Sequence, residues 1–188
     1  EIVTTETSSG KRRRKPTPLD PRTLTDLARS YVARFATSAA KLEAYLWRKL
    51  RERGQADEDE QLDIPAIVDR MVELRYIDDD AYARSKAGGL LRRGYGGRRV
   101  DQALRAAGID ETVRNDVAPC EKEARLAAFA LAQKRKFGPF GAEPVERDRK
   151  EKQIAAMIRA GHGFDSARAL IEAPTIEQAE EWLSQADE

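Results

Sequence analysis

Three short segments, each ending in glycine, recur at nearly equal spacing along the 188-residue chain. They are LRERG at residues 50–54, LRAAG at 104–108 and MIRAG at 157–161, so the final glycines lie 54 and 53 residues apart. Each segment reads as the end of a helix that has another helix before and after it, which predicts three tandem three-helix repeats. A unit of this size is marginal alone, so stacking on its neighbours has to stabilise it. We therefore predict an all-α protein with an elongated, curved shape.

Caps and prolines divide the chain into these units. Asp20 followed by Pro21 predicts the N-terminus of the first helix. Thr175 with Gln178 three residues later is a capping-box pattern for the last helix. The residues before Asp20 are rich in polar and basic side chains and lack apolar periodicity, which is typical of disorder. We predict a disordered basic tail at 1–19, three-helix repeats at 20–77, 78–119 and 120–173, and a C-terminal helix at 174–188.

Charge is concentrated in segments, although the formal net charge of the chain is only +1. A KRRRK run at residues 11–15 either contacts phosphate groups or only keeps the tail soluble. In the middle of the chain, residues 84–99 contain six basic side chains and no acidic one. Gly94, Gly96 and Gly97 lie within this basic span and precede a predicted helix, whose N-terminus offers N–H groups to an anion. The span is therefore either an anion-binding turn or the solvated basic face of a helix–turn–helix.

Residue counts exclude several classes of site. One cysteine and one histidine exclude an internal disulfide and metal sites built from cysteines or from paired histidines. The histidine, His162, lies between two glycines and is predicted to be a turn residue. The glycines do not form G-x-x-x-x-G-K-[ST], so the phosphate-binding loop of NTPases is absent, and no apolar run approaches ~20 residues. We expect a cytoplasmic protein that is not an enzyme and uses no cofactor or metal.

The segment YIDDDAYARSKAGGLLRRGYGGRRVDQALRAAGI, at residues 76–109, resembles the signature of the bacterial RecX family of regulatory proteins. The matching positions are Tyr76, Ile77, Asp78, Asp79, Gly94, Tyr95, Gly96, Leu104, Gly108 and Ile109. In repeat plan the resemblance extends over about residues 24–173. In the first repeat, Ser38 and Leu42 match the family pattern Ser–x–x–Glu–Leu, whereas Lys41 replaces the glutamate.

The resemblance implies a regulator that is built from three tandem three-helix repeats. It implies binding in the helical groove of the RecA–single-stranded DNA filament, with modulation, mostly inhibition, of recombinase, ATPase and co-protease activity in DNA repair, recombination and SOS control. The implied partners are the RecA filament and single-stranded DNA, with weak, non-specific binding of duplex DNA, and we expect a monomer that does not bind membranes. We expect the contacts to the filament and to DNA at Arg84, Lys86, Arg92, Arg93, Tyr95, Arg98 and Arg99.

Two interpretations stay open. Tyr95 either stacks on a base or packs against Tyr82 or Leu91. The alternative function is a DNA-binding transcription regulator of the helix–turn–helix type, with residues 98–107 as the recognition helix in the major groove. Against this alternative, Gln102 is the only asparagine or glutamine in that helix that could read base edges.

Overall fold

The computed structural model describes residues 17–57, 61–141 and 146–186. Its helices are α1 Pro21–Val32, α2 Ala39–Arg53, α3 Ile64–Glu73, α4 Asp79–Arg92, α5 Gly97–Arg105, α6 Glu111–Asp116, α7 Glu121–Arg135, α8 Arg147–Arg159, α9 Phe164–Glu172 and α10 Ile176–Ser184, with a 3-10 turn at Gly138–Phe140. Within these residues there is no β-strand, and one isolated parallel bridge joins Leu19 to Gln55. The predicted all-α fold is confirmed.

The helices form three consecutive units, each with a hydrophobic core of its own. Unit 1 comprises α1–α3, unit 2 comprises α4–α6, and unit 3 comprises α7–α9. The buried clusters include Leu24, Leu46 and Met71 in unit 1, Ala83, Val100 and Leu104 in unit 2, and Leu131, Met157 and Leu170 in unit 3. Within α4 the buried side chains recur at helical spacing and so form one stripe. The predicted plan of three-helix repeats is therefore confirmed.

The ends of the helices follow local chemistry that the sequence displays. The Asp20 carboxylate accepts a hydrogen bond from the N–H of Thr23 at 2.6 Å, and Pro21 is the first residue of α1. The middle helix of each unit is followed by a glycine with positive φ, at +77° for Gly54, +69° for Gly108 and +99° for Gly161. L side chains rarely adopt this left-handed conformation, so glycine at these three positions stops the helix.

Three predicted boundaries differ in the structure. Leu19 was assigned to the disordered tail, but its side chain is fully buried in the core of unit 1, and its N–H donates to the Gly54 carbonyl at 2.9 Å. The sequence pattern predicts a helix from Gln153 to Ala160, but α8 begins six residues earlier, at Arg147, because its first two turns are polar and carry no apolar signal. The residue types predict that Asp165 or Ser166 caps the next helix, but the N-cap of α9 is Gly163. The KRRRK run at 11–15 lies outside the described residues.

The C-terminal helix α10 docks onto unit 3. It packs against α7 and α9, and Trp182 is partly buried against the core of that unit. The guanidinium of Arg125 lies 4.9 Å from the centre of the Trp182 ring, and its Nη1 donates to the Trp182 carbonyl at 2.5 Å. None of the helices in the described ranges has the length and apolar character that crossing a membrane requires.

Candidate nucleic-acid interface

The glycine turn of the basic span packs against unit 3. The N–H of Gly96 donates to the Ala160 carbonyl at 2.9 Å, and the N–H of Arg98 donates to the Gly161 carbonyl at 3.2 Å. These donors belong to the N-terminus of α5, which the sequence analysis considered as a cradle for an anion. Since carbonyl groups of unit 3 already accept from these N–H groups, the interpretation as an open anion-binding turn is wrong.

Close approach of two backbones explains the glycines at this junction. A Cβ atom on Gly96 would lie 2.4 Å from the carbonyl carbon of Gly161, and a Cβ on Gly161 would lie 2.5 Å from the Arg99 nitrogen. Gly94 has a φ of +87°, and a Cβ atom added to it would lie 3.0 Å from the Leu131 Cβ. Side chains at Gly96 and Gly161 would therefore force units 2 and 3 apart.

His162 belongs to the same junction and is buried, with 3% of its surface exposed. Its Nε2 lies 2.9 Å from the Gly94 carbonyl oxygen, which can only accept, so a neutral ring carries its proton on Nε2. Burial lowers the pKa of His162, and the hydrogen bond to Gly94 opposes this effect without reversing it. His162 was predicted to be a turn residue, and in the structure its side chain also joins units 2 and 3.

The predicted arginines are exposed and Lys86 is half-buried, but these basic side chains do not form one strip. Lys86 and Arg84 lie two residues apart on α4, which places them roughly 160° apart around the helix axis. Arg84 lies 3.9 Å from Asp80, and Arg92 extends back along α4 beside Gly88. The Nη1 of Arg99 donates to the Gln102 Oε1 at 2.6 Å, and Arg98 and Tyr95 are exposed. The remaining two, Lys86 and Arg93, face a groove.

This groove lies where unit 1 meets unit 2, and we call it the junction groove. Its volume is about 610 Å³. It is lined by Ala36, Thr37, Lys41, Tyr76, Asp78, Ala81, Tyr82, Ser85, Lys86, Gly89 and Arg93. Three residues of α4, Tyr82, Lys86 and Gly89, and the C-cap residue Arg93 recur at helical spacing and so share one face of the helix.

The junction groove combines positive charge with aromatic rings. Lys41, Lys86 and Arg93 contribute three cations, against one carboxylate from Asp78. The Asp78 carboxylate accepts from the N–H of Ala81 at 2.8 Å, so the N-terminus of α4 partly offsets its charge. The Lys41 ammonium donates to the Tyr82 hydroxyl at 2.9 Å, which fixes Lys41 across the boundary between the units. The groove is therefore a positively charged surface.

Tyr76 supplies an open aromatic face at the edge of the junction groove. It is 59% exposed, more than any other large hydrophobic side chain in the described residues, and it packs into none of the three cores. A ring in this setting can stack on a nucleic-acid base, because every base has a π face. Cations beside an aromatic platform are the combination that single-stranded nucleic acid favours.

Side chains and caps hold units 1 and 2 together around the groove. The Ser38 hydroxyl donates to the Ala107 carbonyl at 2.5 Å, and the Asp79 carboxylate accepts from the N–H of Ala39 at 3.0 Å. Burial raises the pKa of Asp79, the bond from Ala39 opposes the rise, and the neighbouring Asp78 and Asp80 charges add to it. These bonds fix the two walls of the groove relative to each other.

Comparison with known proteins decides the family. Residues 78–117, which span unit 2, match a family model described as the second three-helix domain of RecX. The regulatory protein RecX of Myxococcus xanthus strain DK1622 is 31% identical over 171 residues, covering 85% of this chain and 89% of that protein. The chain belongs to the RecX family. The RecX resemblance seen in the central segment is thereby confirmed.

Two further comparisons extend the relation to RecX proteins. The regulatory protein RecX of Neisseria meningitidis serogroup A (strain Z2491) is 33% identical over 123 residues, which cover 64% of this chain and 72% of that protein. The crystal structure of RecX from Lactobacillus salivarius superimposes with a TM-score of 0.62, covering 87% of this chain and 96% of that one. At 19% identity, this second likeness concerns the fold.

Three residues of the groove, Lys41, Tyr76 and Tyr82, were not predicted to belong to a site. Lys41 carried a signal, because it replaces the glutamate of the RecX pattern and makes the first unit more basic. Tyr76 and Tyr82 lie 35 and 41 residues from Lys41 in the chain, so only tertiary structure brings the three together. Among the residues that the structure describes, no group of histidine, cysteine and carboxylate side chains is placed to hold a metal ion.

Proposed function

We propose that this protein binds in the groove of the RecA–single-stranded DNA filament and modulates, mostly inhibits, recombinase, ATPase and co-protease activity. Membership of the RecX family, through a relative named as a regulatory protein that is matched over 89% of its length, carries this proposal. The role is that of a binding protein that is not an enzyme, in the cytoplasm, in DNA repair, recombination and SOS control. Its partners are the RecA filament and single-stranded DNA.

The junction groove is the contact that we assign to the filament. Lys41, Lys86 and Arg93 would bind phosphate groups, and Tyr76 would stack on a base or on a side chain of the recombinase. Arg84, Arg92, Arg98 and Arg99 are exposed and would add attraction at longer range. A chain of three units seated on several protomers obstructs the entry of duplex DNA or of a repressor. It also hinders the movements that accompany ATP hydrolysis.

One observation disfavours the alternative, a helix–turn–helix transcription regulator. In such regulators the N-terminal residues of the recognition helix contact base edges in the major groove. Here the backbone at the N-terminus of α5 is bonded to Ala160 and Gly161 of unit 3. The amide oxygen of Gln102 accepts from Arg99, so its free hydrogen-bonding capacity is reduced. Unit 3 therefore lies against the end of α5 that a recognition helix would direct into the major groove.

A titration of the purified protein into active RecA–single-stranded DNA filaments tests the proposal. We expect a dose-dependent fall in ATP hydrolysis and in strand exchange, which higher salt weakens because phosphate contacts release counterions. A parallel footprinting experiment on duplex DNA without recombinase should show no sequence-specific protection. Unchanged filament activity at saturating protein would refute the proposal, and a specific footprint would favour the transcription regulator.

A further inference from the structure

A second basic pocket lies in unit 3, between the end of α7 and the start of α8. It has a volume of about 240 Å³ and is lined by Arg135, Lys136, Phe137, Arg149, Lys152 and Gln153. Four of these six side chains are cationic and exposed, and none is acidic. We call it the unit 3 pocket. It shares no residue with the junction groove or with the basic span at 84–99.

The four cations of the unit 3 pocket have no carboxylate partner among the described residues. Other arginines on the same two helices do: Arg125 pairs with Glu121 on α7, and Arg147 pairs with Glu151 on α8 at 3.4 Å. Arg149 also lies in the first turn of α8, where the helix dipole disfavours positive charge. Four like charges gathered without a counter-charge create a local positive potential that attracts anions.

The backbone beneath the pocket is held rigidly. Gln153 is 6% exposed, and its Oε1 accepts from the N–H of Gly138 at 2.9 Å in a buried hydrogen bond. Lys136 adopts a left-handed conformation with φ of +54°, and the next N–H, of Phe137, donates to the Ala132 carbonyl at 2.9 Å. The cations therefore project from a preorganised frame, which reduces the entropy lost on binding.

The size and the chemistry of the pocket select the ligand. A volume of 240 Å³ is below the range of about 300–1,000 Å³ that is usual for whole small-molecule ligands, but it accommodates one phosphate group with part of its sugar. Two arginines favour phosphate oxygens, which their planar guanidinium groups bind in bidentate fashion. The partly buried ring of Phe137 adds an apolar surface for the sugar or for a base.

We propose that the unit 3 pocket binds a backbone phosphate of single-stranded nucleic acid, as a second anchoring point distinct from the junction groove. The inference rests on the proposed function only in its expectation that nucleic acid lies beside the protein. It follows that the protein binds free single-stranded DNA through two separate sites. A phosphate on a polymer and a phosphate on a free nucleotide share this chemistry, and the experiment distinguishes them.

The test measures binding of the full chain to a fluorescent oligothymidylate by anisotropy, over a range of salt concentrations and without recombinase. The pocket variant combines Arg149→Glu with Lys152→Glu, and the control combines Lys134→Glu with Arg159→Glu, which changes net charge equally at exposed positions outside the pocket. We expect the pocket variant to bind at least ~10-fold more weakly. Its log–log salt slope should be shallower by roughly 1.4, for two lost contacts at ~0.7 each on a single strand.

The control should keep the parent affinity to within about twofold, and far-ultraviolet circular dichroism should show all variants folded. A second pair, Arg149→Gln with Lys152→Gln, should show a smaller loss in the same direction. Equal losses in pocket and control variants, or no loss in either, would overturn the inference. The inference would also be overturned if the pocket variant lost ATP binding but kept its binding of oligothymidylate. The same holds if its oligothymidylate binding weakened only in the presence of RecA protein. Failure of the proposed function would appear separately, in filament ATP hydrolysis.

Discussion

At the junction of units 2 and 3, backbone atoms of Gly96 and Gly161 meet directly, whereas at the junction of units 1 and 2, side chains line an open groove. The first junction has two N–H donors satisfied by carbonyl groups across it and a buried histidine beside them. The second has three cations and an exposed tyrosine around a space of about 610 Å³. The same plan of helices thus produces one closed contact and one open surface.

The comparison distinguishes the role of the glycines in the basic span at 84–99 from the role of its charges. The glycines of the motif serve packing, because a Cβ at Gly96 would collide with the neighbouring unit. In the function proposed above, the charges that contact the ligand directly are those that the fold leaves facing the junction groove, Lys86 and Arg93. A glycine-rich basic span can therefore hold a unit in place with its backbone and bind a ligand with its side chains.

The largest effect should come from the closed junction, with Gly161→Ala. Its φ of +99° costs an alanine about 1–2 kcal/mol, and overpacking against Arg99 adds about 1–3 kcal/mol. We expect the free energy of unfolding, measured by urea denaturation, to fall by about 3 kcal/mol. The matched control is Gly54→Ala, with φ of +77°, ψ of 169° and no atom within 4 Å of its Cβ position, which should lose only the conformational cost of about 1–2 kcal/mol. Equal losses of unfolding free energy in the two variants would show that the positive φ of Gly161, and not its contact with Arg99, explains the effect.

A smaller effect is expected at the open junction, with Asp79→Ala. This change removes the acceptor for the Ala39 N–H, and a lost hydrogen bond of this kind costs about 1–2 kcal/mol of unfolding free energy. The control is Asp79→Asn, which keeps an acceptor oxygen. Burial raises the pKa of Asp79, so the ionised carboxylate contributes less stability to the folded state than a neutral side chain that makes the same hydrogen bond. Asp79→Asn should therefore change stability by less than about 0.5 kcal/mol; a loss as large as that of the alanine variant would contradict this explanation.

The smallest effect is the pH dependence of the closed junction. Since burial lowers the pKa of His162, the unfolded chain binds a proton below pH 6.5 that the folded chain does not. Stability from this group is present above pH 6.5 and is lost as the pH falls toward the folded pKa, with a slope of at most about 1.4 kcal/mol per pH unit. Urea denaturation between pH 7 and pH 5 should show a smaller decline in His162→Gln than in the parent. Parallel declines would exclude His162 as the cause.

Features that depend on neighbours in the chain were predictable from the sequence. The cap at Asp20, the glycines that end the middle helices and the number of units each follow from residues within one or two turns. The start of α8 was not predictable, because its first turns are held by their charges and by the fold rather than by an apolar stripe. The burial of Leu19 was not predicted, because a single buried side chain beside a tail has no periodicity.

The candidate site was less predictable, because it depends on contacts between distant segments. Gly94 and His162 are 68 residues apart and yet share a hydrogen bond, so the role of the glycine turn was hidden. Lys41 and Tyr82 are 41 residues apart and meet across the groove. Sequence placed the positive charge on unit 2, but the direction of each side chain around α4 follows from the packing of that helix between its neighbours.

The central claim is that the junction groove, and not the whole basic span, contacts the RecA filament. Lys86→Glu and Arg84→Glu test it most directly, because the two residues lie on opposite sides of α4 and the substitutions change charge equally. The measurement is the protein concentration that gives a half-maximal effect on filament ATP hydrolysis. We predict a rise of about tenfold for Lys86→Glu, equivalent to about 1.4 kcal/mol. For Arg84→Glu we predict a rise of no more than about twofold. Equal rises, or a larger rise for Arg84→Glu, would contradict the account.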